Sequence, residues 1–291
     1  MKHLISVDQF SRVHLDNYCS VAGWFMFQQH TFSAKNRILA NLFYEPSTRT
    51  SSSFAAAMAR LGGTVIQINH VEYSSVAKGE SLEDTIRTMQ CYADVIVLRH
   101  SEVGAAQRAV SVASVPIINA GDGVGEHPTQ ALLDLFTIQR ERSRVDGLHV
   151  TLMGDLLHGR TVKSLAKLLR HYDVTISWVS PEALRIPPEF RRAGEIETDD
   201  LHEVLDVTDV LYVTRVQKER LGFVLDDALH YRVTVDHMAR AKANLVLMHP
   251  LPRVGEIPTD LDSDPRSAYF RQMKYGLYMR MAVLHSVLGH D

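Results

Sequence analysis

Short apolar runs rich in β-branched residues alternate along this chain with stretches in which apolar side chains recur at helical spacing. The runs predict strands over 38–43, 65–68, 95–98, 115–118, 150–153, 174–179, 210–213 and 245–248. Between them, 52–61 places Phe54, Met58 and Leu61 on one helical face, and 162–169 gathers Leu165, Leu168 and Leu169. A helix over 128–141 precedes the polar stretch 142–147 and joins two halves. A last one over 276–289 carries Leu277, Met281, Leu284 and Leu288. Strand alternating with helix implies parallel sheets covered on both faces, so the expected class is α/β, with two doubly wound domains. The length of 291 residues agrees with two domains at a prior of roughly 150 each.

Open α/β sheets bind ligands beyond the carboxyl ends of their strands. Six predicted strands are followed by unusual residues: Ser47-Thr48-Arg49-Thr50, then Arg99-His100, Asn119 to Gln130 with His127, Gly154 to Thr161 with Arg160, Thr214 to Gln217 with Arg215, and His249 to Arg253. Bland turns of Gly, Asn, Asp and Ser would be ordinary there; repeated arginines instead indicate a strongly anionic ligand. Hydroxyls and a guanidinium at the start of an amphipathic helix add to its unpaired amides and to a dipole of about +0.5 charge, which makes a phosphate cradle. An ordinary cap accounts for one hydroxyl but not for Arg49.

Two near-motifs point away from nucleotides. Gly154 to Thr161 departs from a phosphate-binding loop by carrying Arg160 in place of lysine, which suits a bidentate carboxylate better. In Gly121-x-Gly123-x-Gly125, Glu126 stands where a dinucleotide loop needs its third glycine, leaving a glycine-rich turn. Lys78-Gly79-Glu80 reads by itself as a solvated loop. Of the 15 histidines, His127 is singled out because Gln130 lies one turn on; at His249 the backbone around Pro250 and Leu251 is the better candidate than the ring.

A net charge of -3 removes the footprint of a dedicated nucleic-acid binder. No window approaches the roughly 20 apolar residues that span a bilayer, and the start lacks a signal-peptide core. Cys19 and Cys91 match neither a disulfide framework nor a zinc spacing, which favours a reducing, cytoplasmic setting.

Taken in order, S-T-R-T (47–50), K-G-E (78–80), H-P-T-Q (127–130), G-R-T (159–161), T-R-V-Q-K-E-R (214–220) and H-P-L-P-R (249–253) resemble the aspartate transcarbamoylases, over residues 4–288. The flanking Thr50-Ser51-Ser52-Ser53-Phe54 and Asp264-Pro265-Arg266 resemble the animal-type domain that is fused to other pyrimidine-pathway enzymes. Pro250, where the ornithine enzymes carry cysteine in their counterpart segment, favours aspartate as acceptor.

The resemblance implies carbamoyl phosphate and L-aspartate as substrates, no cofactor, no metal, and no nucleic-acid or membrane partner. It implies a carbamoyl-phosphate-binding domain over 1–130 and 277–291 and an aspartate-binding domain over 131–276, with the last helix returning to the first domain. Ser47, Thr48, Arg49, Thr50 and Arg99 would hold the phosphate, and Thr50, Arg99 and His127 would act catalytically on the carbamoyl oxygen. Gln130 and the carbonyls of Pro250 and Leu251 would take the carbamoyl amide. Arg160 would bind the α-carboxylate of aspartate, and Arg215 with Gln217 its β-carboxylate. Ser74 and Lys78 would reach the site of a neighbouring protomer in a homotrimer, Lys78 touching both substrates, and Glu45 would link Arg160 and Arg220. Leu157 departs from the lysine of many relatives, so a salt link there is not expected. Two other readings stay open: a transcarbamoylase for another amine, and a non-catalytic anion-binding subunit. The full donor set opposes the second of these, and a pair of arginines suited to a dicarboxylate opposes the first.

Overall fold

The computed structural model describes residues 2–28, 32–69, 78–216 and 232–289. Two compact units result, Met1–Phe136 with Lys274–Asp291, and Thr137–Met273. No helix among the described residues is long and apolar enough to cross a membrane.

In the first unit, α1 (Arg12–Met26) precedes four parallel strands, β1 (Ile38–Phe43), β2 (Thr64–Ile68), β3 (Val95–His100) and β4 (Ile117–Asp122), ordered β2-β1-β3-β4. Helices α2 (Thr48–Arg60), α3 (Leu82–Met89) and α4 (Ala105–Val112) fill the crossovers, and α5 (Pro128–Arg142) follows β4. From Leu39 to Phe43 every residue of β1 is buried, the signature of a strand covered on both faces. Leu42, Ile86, Ile96, Leu98 and Ile117 share one core, and Phe54 of α2 is fully buried.

The second unit holds β5 (Leu148–Met153), β6 (Val174–Val179), β7 (Glu197–Thr198), β8 (Val210–Val213) and β9 (Val246–Met248), all parallel and ordered β7-β6-β5-β8-β9. With them lie α6 (Arg160–Leu169), α7 (Val235–Arg240) and the start of α8 (Tyr269–Leu288). Met153, Val179, Leu211, Val213, Leu247 and Tyr269 form its core. From Lys274 onward α8 belongs to the first unit, so the C-terminal helix returns to the domain in which the chain begins.

Several elements differ from the expectation, each for a local reason. β3 continues through Arg99 and His100 because Arg99 pairs with Phe43 and its carbonyl accepts from the Tyr44 amide at 2.9 Å. β4 starts later and runs through the polar Asn119 to Asp122. The Asn119 amide donates to the Leu4 carbonyl at 2.8 Å and its side chain to that of Ile5 at 2.9 Å, holding turn-type residues extended. β7 is two residues long, below what periodicity registers. α8 begins at Tyr269, earlier than 276.

Each sheet reverses its winding once, between β1 and β3 in the first and between β5 and β8 in the second. At such a point successive crossovers leave toward opposite faces, and a crevice opens at the carboxyl ends of the two strands.

Candidate active site

The first crevice is bounded by the loop after β1 and by the end of β3. α1, α3 and α7 close their first turns with their own hydroxyls: Ser11 Oγ accepts from the His14 amide at 3.4 Å, Ser81 Oγ from Asp84 at 3.1 Å, and Thr234 Oγ1 from His237 at 3.3 Å. Ser47 is an equally good capping type, yet it makes no side-chain cap bond to α2. Its Oγ accepts from Arg99 Nη1 at 3.3 Å, and Arg99 Nε donates to Glu45 Oε2 at 3.2 Å. Thr48 and Arg49 are exposed and Thr50 is buried on the same turn. The turn is braced from beneath, since Asn41 Nδ2 donates to the Ser51 carbonyl at 3.0 Å and to Gln67 Oε1 at 3.1 Å. A braced helix start whose cap hydroxyl is turned to an arginine can receive a phosphate.

At the end of β4 the glycine-rich segment is a turn wound around Asp122, whose Oδ1 accepts from the Glu126 amide at 2.8 Å and whose Oδ2 accepts from Gly104 at 3.0 Å. It delivers His127 and then Pro128, the first residue of α5, a position that tolerates proline's missing N–H. His127 and Gln130 are both buried; His127 Nδ1 lies 3.5 Å from Thr129 Oγ1, and Gln130 Nε2 donates to Asp134 Oδ1 at 2.9 Å. Lys78 is exposed on the separate loop that leads to α3. Ser74, Gln217 and Arg220 lie outside the described residues.

In the second unit, Gly154 follows β5 with φ +119°, and a Cβ there would stand 2.2 Å from the Thr214 carbonyl oxygen. Only glycine lets the ends of β5 and β8 approach so closely. The next residue, Asp155, is fully buried; its Oδ1 accepts from the His158 amide at 2.9 Å and folds the loop back on itself. Arg160 thereby becomes the first residue of α6, and Arg215 stands two residues beyond β8, on the other side of the switch point. Gly159, the N-cap, has no side chain to close the helix start. Arg160 is buried and Arg215 half-buried. A guanidinium beside open helix amides is suited to a carboxylate.

Beyond β9, the buried His249 acts through its neighbours. Its amide donates to Gln272 Oε1 at 3.0 Å, and its Nδ1 accepts from the Leu251 amide at 2.8 Å, so Nδ1 carries no proton. The ring thus braces the backbone of Pro250 and Leu251, where Leu251 adopts φ +57°. Further along, Arg253 Nη2 donates to Asp262 Oδ2 at 2.7 Å and packs on the Tyr269 ring. The bonds from Arg253 and Tyr269 hold the Asp262 carboxyl down at about 2.

Among the described residues no group of three or more His, Cys, Asp or Glu could hold a metal ion. Asn41, Asp122, Asp134, Asp155 and Gln272, none of them a candidate from the sequence, orient the residues that are. Asn41 had a signal, being the one polar residue in an otherwise apolar strand, Ile-Leu-Ala-Asn-Leu-Phe.

Residues 2–140 match the family model described as "Aspartate/ornithine carbamoyltransferase, carbamoyl-P binding domain", and 146–287 match "Aspartate/ornithine carbamoyltransferase, Asp/Orn binding domain". The chain is 49% identical over 263 residues to the aspartate carbamoyltransferase catalytic subunit of Thermoplasma acidophilum, covering 88% of this chain and 86% of that one. It is 48% identical over 303 residues to the multifunctional protein pyr1-3 of Dictyostelium discoideum; the match takes in 99% of this chain but spans only 14% of that protein's length. The Trypanosoma cruzi aspartate transcarbamoylase solved with carbamoyl phosphate superposes with a TM-score of 0.92 at 45% identity, covering 99% and 96% of the two chains. The catalytic subunit of M. jannaschii aspartate transcarbamoylase gives a TM-score of 0.93 at 43% identity, covering 100% and 99% of the two chains. With both of its halves matched in order, the chain belongs to the aspartate/ornithine carbamoyltransferase family.

Proposed function

We propose that the chain transfers the carbamoyl group of carbamoyl phosphate to the amino group of L-aspartate, giving N-carbamoyl-L-aspartate and phosphate for pyrimidine biosynthesis. One observation carries the reading: in both sheets the arginines fall at the switch point, Arg49 and Arg99 in the first, Arg160 and Arg215 in the second. The amine lone pair of aspartate attacks the carbamoyl carbon, a C–N bond forms, and the carbonyl electrons move onto oxygen. When the oxyanion collapses, the C–O bond to phosphorus breaks and phosphate leaves with the electron pair, taking the amine proton.

Ser47, Thr48, Arg49 and the first amides of α2 bind the phosphate, where Arg49 and the helix dipole stabilise the charge that grows as it departs. Thr50, Arg99 and His127 donate to the oxyanion, each such donor contributing about 10²–10³ in rate. Gln130 holds the carbamoyl amide, a role shared with the carbonyls of Pro250 and Leu251. Arg160 takes the α-carboxylate of aspartate, Arg215 and Gln217 its β-carboxylate. Two guanidinium groups for one acceptor favour a dicarboxylate over ornithine. The test is a colorimetric assay for carbamoyl aspartate with ornithine and other amines as competing acceptors. Carbamoyl aspartate must be the main product; a preference for ornithine, or no product at all, ends the reading.

The same proposal makes the protein a homotrimer in which Ser74 and Lys78 serve the neighbouring site. Chains carrying Lys78→Ala and chains carrying Arg49→Ala, each inactive alone, should regain part of the activity when mixed and reassembled. Inactive mixed trimers would remove Lys78 from the shared site. Association with other pyrimidine-pathway domains draws support from the multifunctional relatives, and a cytoplasmic setting from two unpaired thiols, one of them, Cys91, exposed.

A further inference from the structure

Behind Gln130 lie three buried residues on three helices of the first unit, Asp134, Arg280 and Phe54, that the reaction above does not use. Gln130 Nε2 donates to Asp134 Oδ1 at 2.9 Å, one turn along α5. A carboxylate only accepts, so the NH₂ terminus of the Gln130 amide is compelled to face Asp134, and its Oε1 is the terminus turned the other way. Asp134 is fully buried, a situation a carboxylate sustains only beside a cation. Arg280 of α8 is the buried cation whose charge acts with it; its Nη1 and the side chain of Leu133, the residue before Asp134, both lie against Gly276. Only 4% exposed, Arg280 has its pKa pulled down to about 10 by burial, against which the Asp134 charge acts, and so it stays a cation at neutral pH.

The seat of this guanidinium is built for it. Its carbon lies 5.3 Å from the centroid of the Phe54 ring, on the helix whose first turn forms the phosphate cradle. One helical turn before it stands Gly276, where a Cβ would lie 2.9 Å from Arg280 Nη1 and 3.0 Å from Leu133 Cδ2.

We propose that Asp134, neutralised by Arg280, is a positioning residue that fixes the Gln130 amide with its oxygen toward the donor, and so makes the site select a carbamoyl group over an acyl group. The inference rests on the function proposed above. An acceptor oxygen complements the NH₂ of a carbamoyl group and offers nothing to the methyl of an acetyl group. Sites built around such a hydrogen bond reject analogues that lack it. Asparagine at 134 could donate as well as accept, and the Gln130 amide would then be free to turn over.

The experiment compares the wild type, Asp134→Asn, and Asp134→Asn with Arg280→Met. For each, the Kd of carbamoyl phosphate, the inhibition constant of acetyl phosphate and that of inorganic phosphate are measured. The expected result is a fall of about tenfold in preference for carbamoyl over acetyl phosphate in both variants, a hydrogen-bond-sized effect, with inorganic phosphate bound as before. An unchanged preference, or carbamoyl phosphate and inorganic phosphate weakened in step, overturns the proposal. The double variant removes both buried charges together and should fold even where Asp134→Asn strands the Arg280 charge; its failure to fold would also overturn an orienting role, because a pair that only orients can be replaced by apolar volume. Formation of carbamoyl aspartate by the wild type is scored separately, so failure of the underlying reading is seen before any variant is compared.

Discussion

The two switch points use opposite means to present a guanidinium. In the first, the chain passes from β1 into α2 through Glu45 to Ser47 with no glycine, and the helix start is left open because the Ser47 hydroxyl is turned to Arg99. Arg49 stands exposed on that turn. In the second, glycines make the loop: Gly154 permits close approach to Thr214, and Gly159 precedes a buried Arg160. In the proposed reaction a phosphate leaving group gains charge and needs many donors, which an open helix turn with hydroxyls would supply. A carboxylate keeps its charge throughout and needs one well-held planar partner, which a buried arginine on a rigid turn supplies. The difference predicts that damage at the first crevice falls on turnover and damage at the second on saturation.

Removing Arg49 should have the largest effect. Arg49→Ala should lower kcat by about 10³ or more, as loss of a charge-stabilising donor does, while the KM for aspartate changes little. Stopped assays over a range of aspartate decide it. A variant with normal kcat would break the contrast at its stronger end.

Gly154→Ala attacks the backbone of the other crevice. The added Cβ meets the Thr214 oxygen at 2.2 Å on a residue already at φ +119°, so strand ends rather than a side chain must move. A loss of about 2–4 kcal/mol in stability is expected from strain at such a position. Urea unfolding measures it, and a variant as stable as the wild type would mean that this turn has room to relax.

Arg215→Ala should act mainly on aspartate, raising its KM by about 10–100-fold, the worth of a charged hydrogen bond, with kcat reduced less. Unchanged aspartate saturation would take Arg215 out of the acceptor site.

What could be read in advance follows the same physics. The bounds 38–43, 174–179 and 210–213 coincide with β1, β6 and β8: β8 is a continuous apolar run, β1 is broken only by Asn41, and β6 alternates Val174, Ile176 and Trp178 with Thr175 and Ser177. The end of β4 was hidden, since Asn119 to Asp122 have turn composition and are held extended by residues 4 and 5, from the far end of the domain sequence. The arginines at the strand ends were visible as chemistry out of place. Their supports were not: Asp155 looks like any loop aspartate until its burial is seen, and Asp134 with Arg280 sit on separate helices whose packing no local pattern encodes.

The smallest effect tests whether the loop after β9 is held by its own ion pair. Arg253 bonds Asp262, and Tyr269 donates to the same carboxylate, which brings its folded-state pKa to about 2 from an ordinary 3.8. A depressed carboxyl contributes stability above its unfolded value and loses it as the pH falls through the folded one. The contribution should therefore be complete above about pH 4 and fade between 4 and 2. Because the Asp262 side chain is 36% exposed, solvent screening holds the gain to well under about 1 kcal/mol. Asp262→Asn should thus be slightly less stable than the wild type at pH 6, and urea midpoints of the two proteins should draw together as the pH is lowered from 4 toward 2. A gap that persists undiminished at the acid end would show that Asp262 serves there by shape, and that the loop after β9 is held by packing and not by its ion pair.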